Sequence, residues 1–184
     1  MKKAFLLASV LFISVISTAC INNFAVQELN NKAKDFMDSG DYASAIERLK
    51  SSVDLDDSVF ETRYNLAVAY TKAEDYANAV EAYADAIKLN PDFADAYYSL
   101  AVCEENLAKD IISGDIIVNE DGSYEKASDD DDKKEDLSEK AKSTVANLLN
   151  DAISDYETYS QKASNEDIGE KTEELQLLLE KYSK

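Results

Sequence analysis

Residues 60–93 read FETRYNLAVAYTKAEDYANAVEAYADAIKLNPDF. The stretch predicts two amphipathic helices, Phe60–Ala73 and Tyr76–Leu89, joined at Glu74-Asp75 and closed by Asn90-Pro91. Asp75 suits a helix N-cap, because a short acidic side chain accepts from the free amides of the turn that follows. The same residue types recur upstream at one constant offset: Ala67, Asp75, Tyr76, Ala79, Ile87 and Leu89 answer to Ala33, Asp41, Tyr42, Ala45, Val53 and Leu55. Downstream, by the same step, Leu66 and Ala67 move on to Leu100 and Ala101. A fixed period of about 34 residues, with small and aromatic residues at set offsets, marks a helix–turn–helix repeat array. No unit of such an array buries its apolar face alone, so the units must stack.

On these residues the chain resembles the tetratricopeptide repeat family. Its pattern of Leu-Gly, Tyr, Ala, an aromatic and a closing Pro reads in Phe60–Phe93 as Leu66-Ala67, Tyr70, Ala79, Tyr83 and Pro91, with Arg63 at the opening aromatic position. The unit Val26–Val59 matches through Leu29, Ala33, Phe36, Ala45 and Leu49, and departs at Lys32 and Asp57. A third unit opens at Ala94 with Tyr97 and Leu100-Ala101, then carries Glu104 where the Tyr is expected. The resemblance covers Val26–Ala108. It implies an all-α fold: a right-handed superhelical stack of antiparallel helix pairs, an α-solenoid.

The N-terminus reads as a targeting segment. Lys2 and Lys3 precede the apolar run Ala4–Ile16, which is short for a membrane span, and Ser17-Thr18-Ala19 are small. Cys20 follows, so the segment resembles a bacterial lipoprotein signal with Cys20 as the lipidated first residue of the mature chain. The pattern departs at Ser17, where that motif prefers Leu; Ser17 and Ala19 also suit ordinary signal cleavage. Removing the segment with its two lysines leaves 17 of the 19 basic residues against 38 acidic ones, a net of −21. Nucleic acid is an unsuitable partner for such a surface, since phosphate contacts need a basic patch. The resulting division is 1–19 signal peptide, 20–25 lipidated linker, 26–112 repeats (26–59, 60–93 and 94–112), 113–136 acidic insertion, and 137–184 a long helix plus a cap.

The insertion breaks the period. Ile116-Ile117-Val118 before Asp121-Gly122 signals a hairpin, of which only the first arm is convincing. Asp129–Asp132 forms an acidic run. Helix is expected again from near Asp136, with Leu137, Ala141, Val145, Leu148, Ala152, Tyr156 and Tyr159 as one apolar stripe. Its Ala152 to Tyr159 part resembles the second helix of a repeat and would complete the unit opened at Ala94. A last helix, about Glu166–Tyr182, offers Ile168, Leu175, Leu178, Leu179 and Tyr182 to the stack and a Glu- and Lys-rich face to water, as a terminal cap does.

The chain is not expected to be an enzyme. It has no histidine, no glycine-rich phosphate loop and no serine in a nucleophile-elbow context. No cofactor is implied. Cys103 lies a turn from Ala96 and Leu100 and reads as a small core residue. Asp129–Asp132 with Asp115, Asn119, Glu120 and Asp121 offers oxygen ligands of the kind calcium takes, but not in EF-hand spacing. The family resemblance implies a concave groove lined by the first helix of each unit: Asn30, Asn31 and Lys34; Glu61, Tyr64, Asn65, Val68 and Lys72; Asp95, Tyr98 and Val102. Chaperone-binding members clamp a C-terminal carboxylate with basic residues where this chain has Asn30, Asp95 and Ser99. Tyr64, Val68, Tyr98 and Val102 instead make an apolar strip with an acidic rim at Glu61, Asp95 and Glu105. The expected partner is a protein presenting an apolar helix or extended peptide, with basic flanks, and the expected setting is the bacterial envelope, on the periplasmic face of the outer membrane. The competing reading is an acidic cation-binding surface protein in which the helices form a stalk.

Overall fold

The computed structural model describes residues 22–128, 136–163 and 168–182. The signal segment, Cys20 and Asp129–Asp132 lie outside them. The order is α1 (22–38), α2 (Tyr42–Leu55), α3 (Phe60–Lys72), α4 (Tyr76–Leu89), α5 (Ala94–Ser113), β1 (Ile116–Val118), β2 (Tyr124–Lys126), α6 (Glu139–Ala163) and α7 (Gly169–Tyr182). From α2 onward each helix packs on the next in sequence, which is the build of a solenoid. The small residues allow the close approach: Ala33, Ala45, Ala67, Ala79, Ala101 and Ala152 are all buried.

The first two units end their first helices in the same way. Gly40 N–H donates to Met37 O and Asp41 N–H to Phe36 O; one unit on, Glu74 N–H donates to Thr71 O and Asp75 N–H to Tyr70 O. These paired bonds satisfy the last carbonyls of the helix and need a left-handed residue at the turn. Gly40 supplies it at φ +80°, and Glu74 adopts it at φ +59°. Asp41 then accepts from Ser44 N–H at 3.1 Å and Asp75 from Asn78 N–H at 3.3 Å, capping α2 and α4. The third unit departs here. The corresponding turn would fall at Ala108, but the sequence there has neither Gly nor a capping Asp, so α5 runs on to Gly114. Gly114, at φ +79°, ends it with the same pair of bonds, to Ile111 O and Asp110 O.

Both arms of the inserted hairpin form. Ile116, Ile117 and Val118 pair antiparallel with Lys126, Glu125 and Tyr124. The second arm escapes the sequence pattern because all three of its residues are exposed; backbone pairing holds it rather than an apolar face. Helix α6 begins at Glu139, later than Asp136, because the Ser138 hydroxyl accepts from Ala141 N–H at 3.1 Å and fixes the start.

Two apolar clusters share α5. Leu100 and Cys103 join Ala33, Leu49, Ala67 and Tyr83 of the first two units. Ala101, Leu107, Ala108 and Ile111 join Val118, Val145, Leu149, Tyr156 and Leu175. The second cluster ties hairpin, α6 and α7 to the repeats.

Candidate functional site

Helices α3 and α5 each seat one tyrosine among further aromatic rings. The Tyr64 ring meets Tyr83 at 5.6 Å and 66°, and Phe93 at 5.2 Å. The Tyr98 ring meets Tyr156 at 5.5 Å and 71°, and Tyr159 at 5.0 Å. Tyr64 is half-buried, with Phe60 stacked on it as well. Tyr98 remains 43% exposed, its ring seated on two tyrosines. Edge-to-face pairs of this kind stabilise by about 0.5–1.5 kcal/mol beyond burial. Val68 and Val102 are each half-buried, against the first and the second cluster.

The expected groove residues divide. Asn31, Lys34, Glu61, Lys72 and Asp95 are all exposed. Asn65 is half-buried. Asn30 is turned into the fold: its amide nitrogen lies 2.9 Å from Val26 O, Ser52 Oγ and Thr62 Oγ1, bridging α1, α2 and α3. Its role is to satisfy two buried hydroxyls, and it is not available as a clamp.

Glu105 is a correction. Placed by sequence on the acidic rim, it is only 4% exposed. Its carboxylate accepts from Lys109 Nζ at 2.5 Å, Lys171 Nζ at 2.6 Å and Tyr156 O–H at 3.1 Å. Burial pushes this carboxyl up, and the two ammonium groups outweigh burial and hold it below its ordinary value. Lys171 comes from α7, so this ion pair fastens the last helix over α5. Nothing local in the sequence signals it, since 66 residues separate the partners.

Glu104, in the register position of Tyr70, is likewise buried, at 5% exposure. Its Oε2 has no hydrogen-bond partner among the described residues. Burial pushes its carboxyl up to about 9, with Asp155 and Asp151 adding to the shift. Burial and Asp151 push Asp155 up to about 6. Cys103 is a buried free thiol, as its spacing implies, touching Thr71 Oγ1 at 3.2 Å; burial pushes it up to about 11, which makes it inert.

A tetratricopeptide repeat family model matches residues 60–93. That stretch is a tetratricopeptide repeat. The stack around it has the fold of tetratricopeptide domains. The second such domain of human RPAP3, solved with the HSP70 peptide SGPTIEEVD, is 18% identical, with a TM-score of 0.56 over 89% of this chain and 98% of that one. The first such domain of human RPAP3 is 18% identical, with a TM-score of 0.56 over 86% and 94%. The first such domain of Spaghetti (RPAP3), bound to the HSP90 peptide SRMEEVD, is 20% identical, with a TM-score of 0.53 over 86% and 90%. No curated protein matches the chain. In the tetratricopeptide frame, α1, α3 and α5 are the first helices of their units, and α2, α4 and α6 the second.

Proposed function

We propose that the chain is a protein-interaction adaptor whose groove takes an apolar helix or extended peptide with basic flanks, and that a lipid on Cys20 tethers it to the bacterial envelope. The observation that carries the groove reading is Tyr98: a large aromatic, 43% exposed, on a groove helix, with Tyr156 and Tyr159 fixing its ring. A rigid, half-exposed aromatic supplies contact area at little entropic cost, the habit of interface anchors. Two structural neighbours hold peptides ending in EEVD. The acidic tail of such a peptide is poorly matched here. Asn30 is engaged internally, Asp95 is an acid, and the chain as a whole carries a net charge of −19. Glu61 and Asp95 favour basic flanks instead. The tether reading rests on the apolar run, the small residues and Cys20.

The test is crosslinking from membranes followed by titration of the captured partner. Tyr98→Ala should weaken binding by roughly 20-fold or more, with helicity retained. Deleting Asp129–Asp132 should leave affinity within a few-fold at physiological salt. The opposite pattern would transfer the working site to the acidic insertion and favour the cation-binding alternative. Mass spectrometry of the mature N-terminus checks the lipid independently: an unmodified Cys20 would end the tether proposal.

A further inference from the structure

The insertion into the third unit builds a cavity of its own. Helix α5 continues past the register position of the usual turn, the hairpin folds beside its end, and the first turn of α6 closes the third side. The space measures about 390 Å³, within the size range of small-ligand sites. Buried Ile111, Val118 and Ala141 line its depth, and the partly exposed Ile117 and Leu137 its flanks. Among the described residues, every apolar side chain in the lining is aliphatic. A flat aromatic ligand therefore finds no ring to stack on, whereas an alkyl chain finds a continuous apolar wall.

The charge of the mouth selects the head group. Glu120 and Asp136 both line the cavity and both are exposed, one on the hairpin turn and one ahead of α6. Among the described residues no lysine or arginine lines it. Lys140 sits over the turn at Gly122, outside the lining. The Ser138 hydroxyl is engaged in capping α6. Two acids at the mouth repel a carboxylate or phosphate head and attract an ammonium. We infer that this cavity binds a small amphiphile with an aliphatic body and a cationic head.

The experiment compares three probes of one chain length, n-octylamine, n-octanol and n-octanoate, below their aggregation limits, against the full chain by calorimetry and backbone NMR. The amine should bind saturably at one site, with shifts confined to the end of α5, the hairpin and the start of α6; the alcohol should bind more weakly and the carboxylate not at all. Glu120→Gln with Asp136→Asn should weaken the amine by about tenfold and leave the alcohol unchanged. Neutralising an exposed pair elsewhere, Glu47→Gln with Asp54→Asn, should change neither. Ile117→Trp, which narrows the cavity from its exposed flank, should weaken amine and alcohol together. Equal binding of amine and carboxylate, shifts scattered over the acidic surface, or equal loss from the two charge pairs would overturn the inference. If Ile117→Trp proves unfolded by circular dichroism, the two charge pairs decide the matter alone.

Discussion

Tyr98 and Tyr156 meet at 5.5 Å and 71°, almost the geometry of Tyr64 on Tyr83 at 5.6 Å and 66°. Tyr83 stands on the helix that directly follows that of Tyr64, whereas the end of α5, the whole hairpin and the start of α6 intervene between Tyr98 and Tyr156. The same contact is kept across that insertion. The extra chain leaves the stack as the end of α5 and the hairpin, and returns in register with α6. Ala152 thereby stands to α5 as Ala79 stands to α3, and both are fully buried.

From that equivalence, Ala79→Leu and Ala152→Leu should each overpack a helix–helix contact and destabilise the domain by about 1–3 kcal/mol. Urea unfolding with an unchanged slope checks this. If only Ala79→Leu is destabilising, α6 does not complete the third unit.

Glu74 occupies the left-handed turn that Gly40 occupies one unit earlier, at φ +59° against +80°. A residue bearing a Cβ is strained there by about 1–2 kcal/mol, part of which glycine's greater unfolded-state entropy offsets. Glu74→Gly should therefore raise stability by about 0.5–1 kcal/mol. A lower melting temperature in the variant would contradict the shared turn geometry.

Glu104 makes stability depend on pH. Its folded carboxyl is pushed up to about 9, first by burial and then by Asp155 and Asp151. The folded state thus holds a proton that the unfolded chain releases near pH 4.3. Stability is full below that value and falls as pH rises toward 9. Glu104→Gln should be nearly neutral below pH 4 and increasingly stabilising as pH rises, by at least about 1–3 kcal/mol at pH 9. Denaturation curves of both proteins across this range measure the difference, and parallel curves would refute the buried charge.

Glu105 has the opposite sign. Lys109 and Lys171 overcome the upward push of burial and lower its folded value, so its contribution is present above the unfolded value and is lost as pH falls through the folded one. Lys171→Met should free α7, which buries only Leu175 fully, ahead of the rest of the chain. Hydrogen exchange should accelerate across 169–182 while α3 and α4 keep their protection. Uniform acceleration would mean that α7 does not open as a separate unit.

Much of the site was legible as positions and not as states. The register placed Tyr64, Tyr98, Val68 and Val102 on first helices, and the structure puts them there half-buried or half-exposed. It could not distinguish Tyr98, which stays exposed, from Tyr64, which Phe60 and Phe93 enclose. Nor could it turn Asn30 inward, because its partners Ser52 and Thr62 lie 22 and 32 residues away and carry no pattern of their own.

The sequence by itself determined the repeat, its period, and the turns and caps of its first two units, because each rests on contacts within one turn of helix or on a residue type demanded by local backbone geometry. Only the tertiary structure decided which acids are buried, what covers them, and that the insertion encloses a cavity. Those outcomes depend on partners far apart in the chain: Tyr156 and Lys171 reach Glu105 across 51 and 66 residues. Burial is a property of the assembled stack, and no short stretch of chain encodes it.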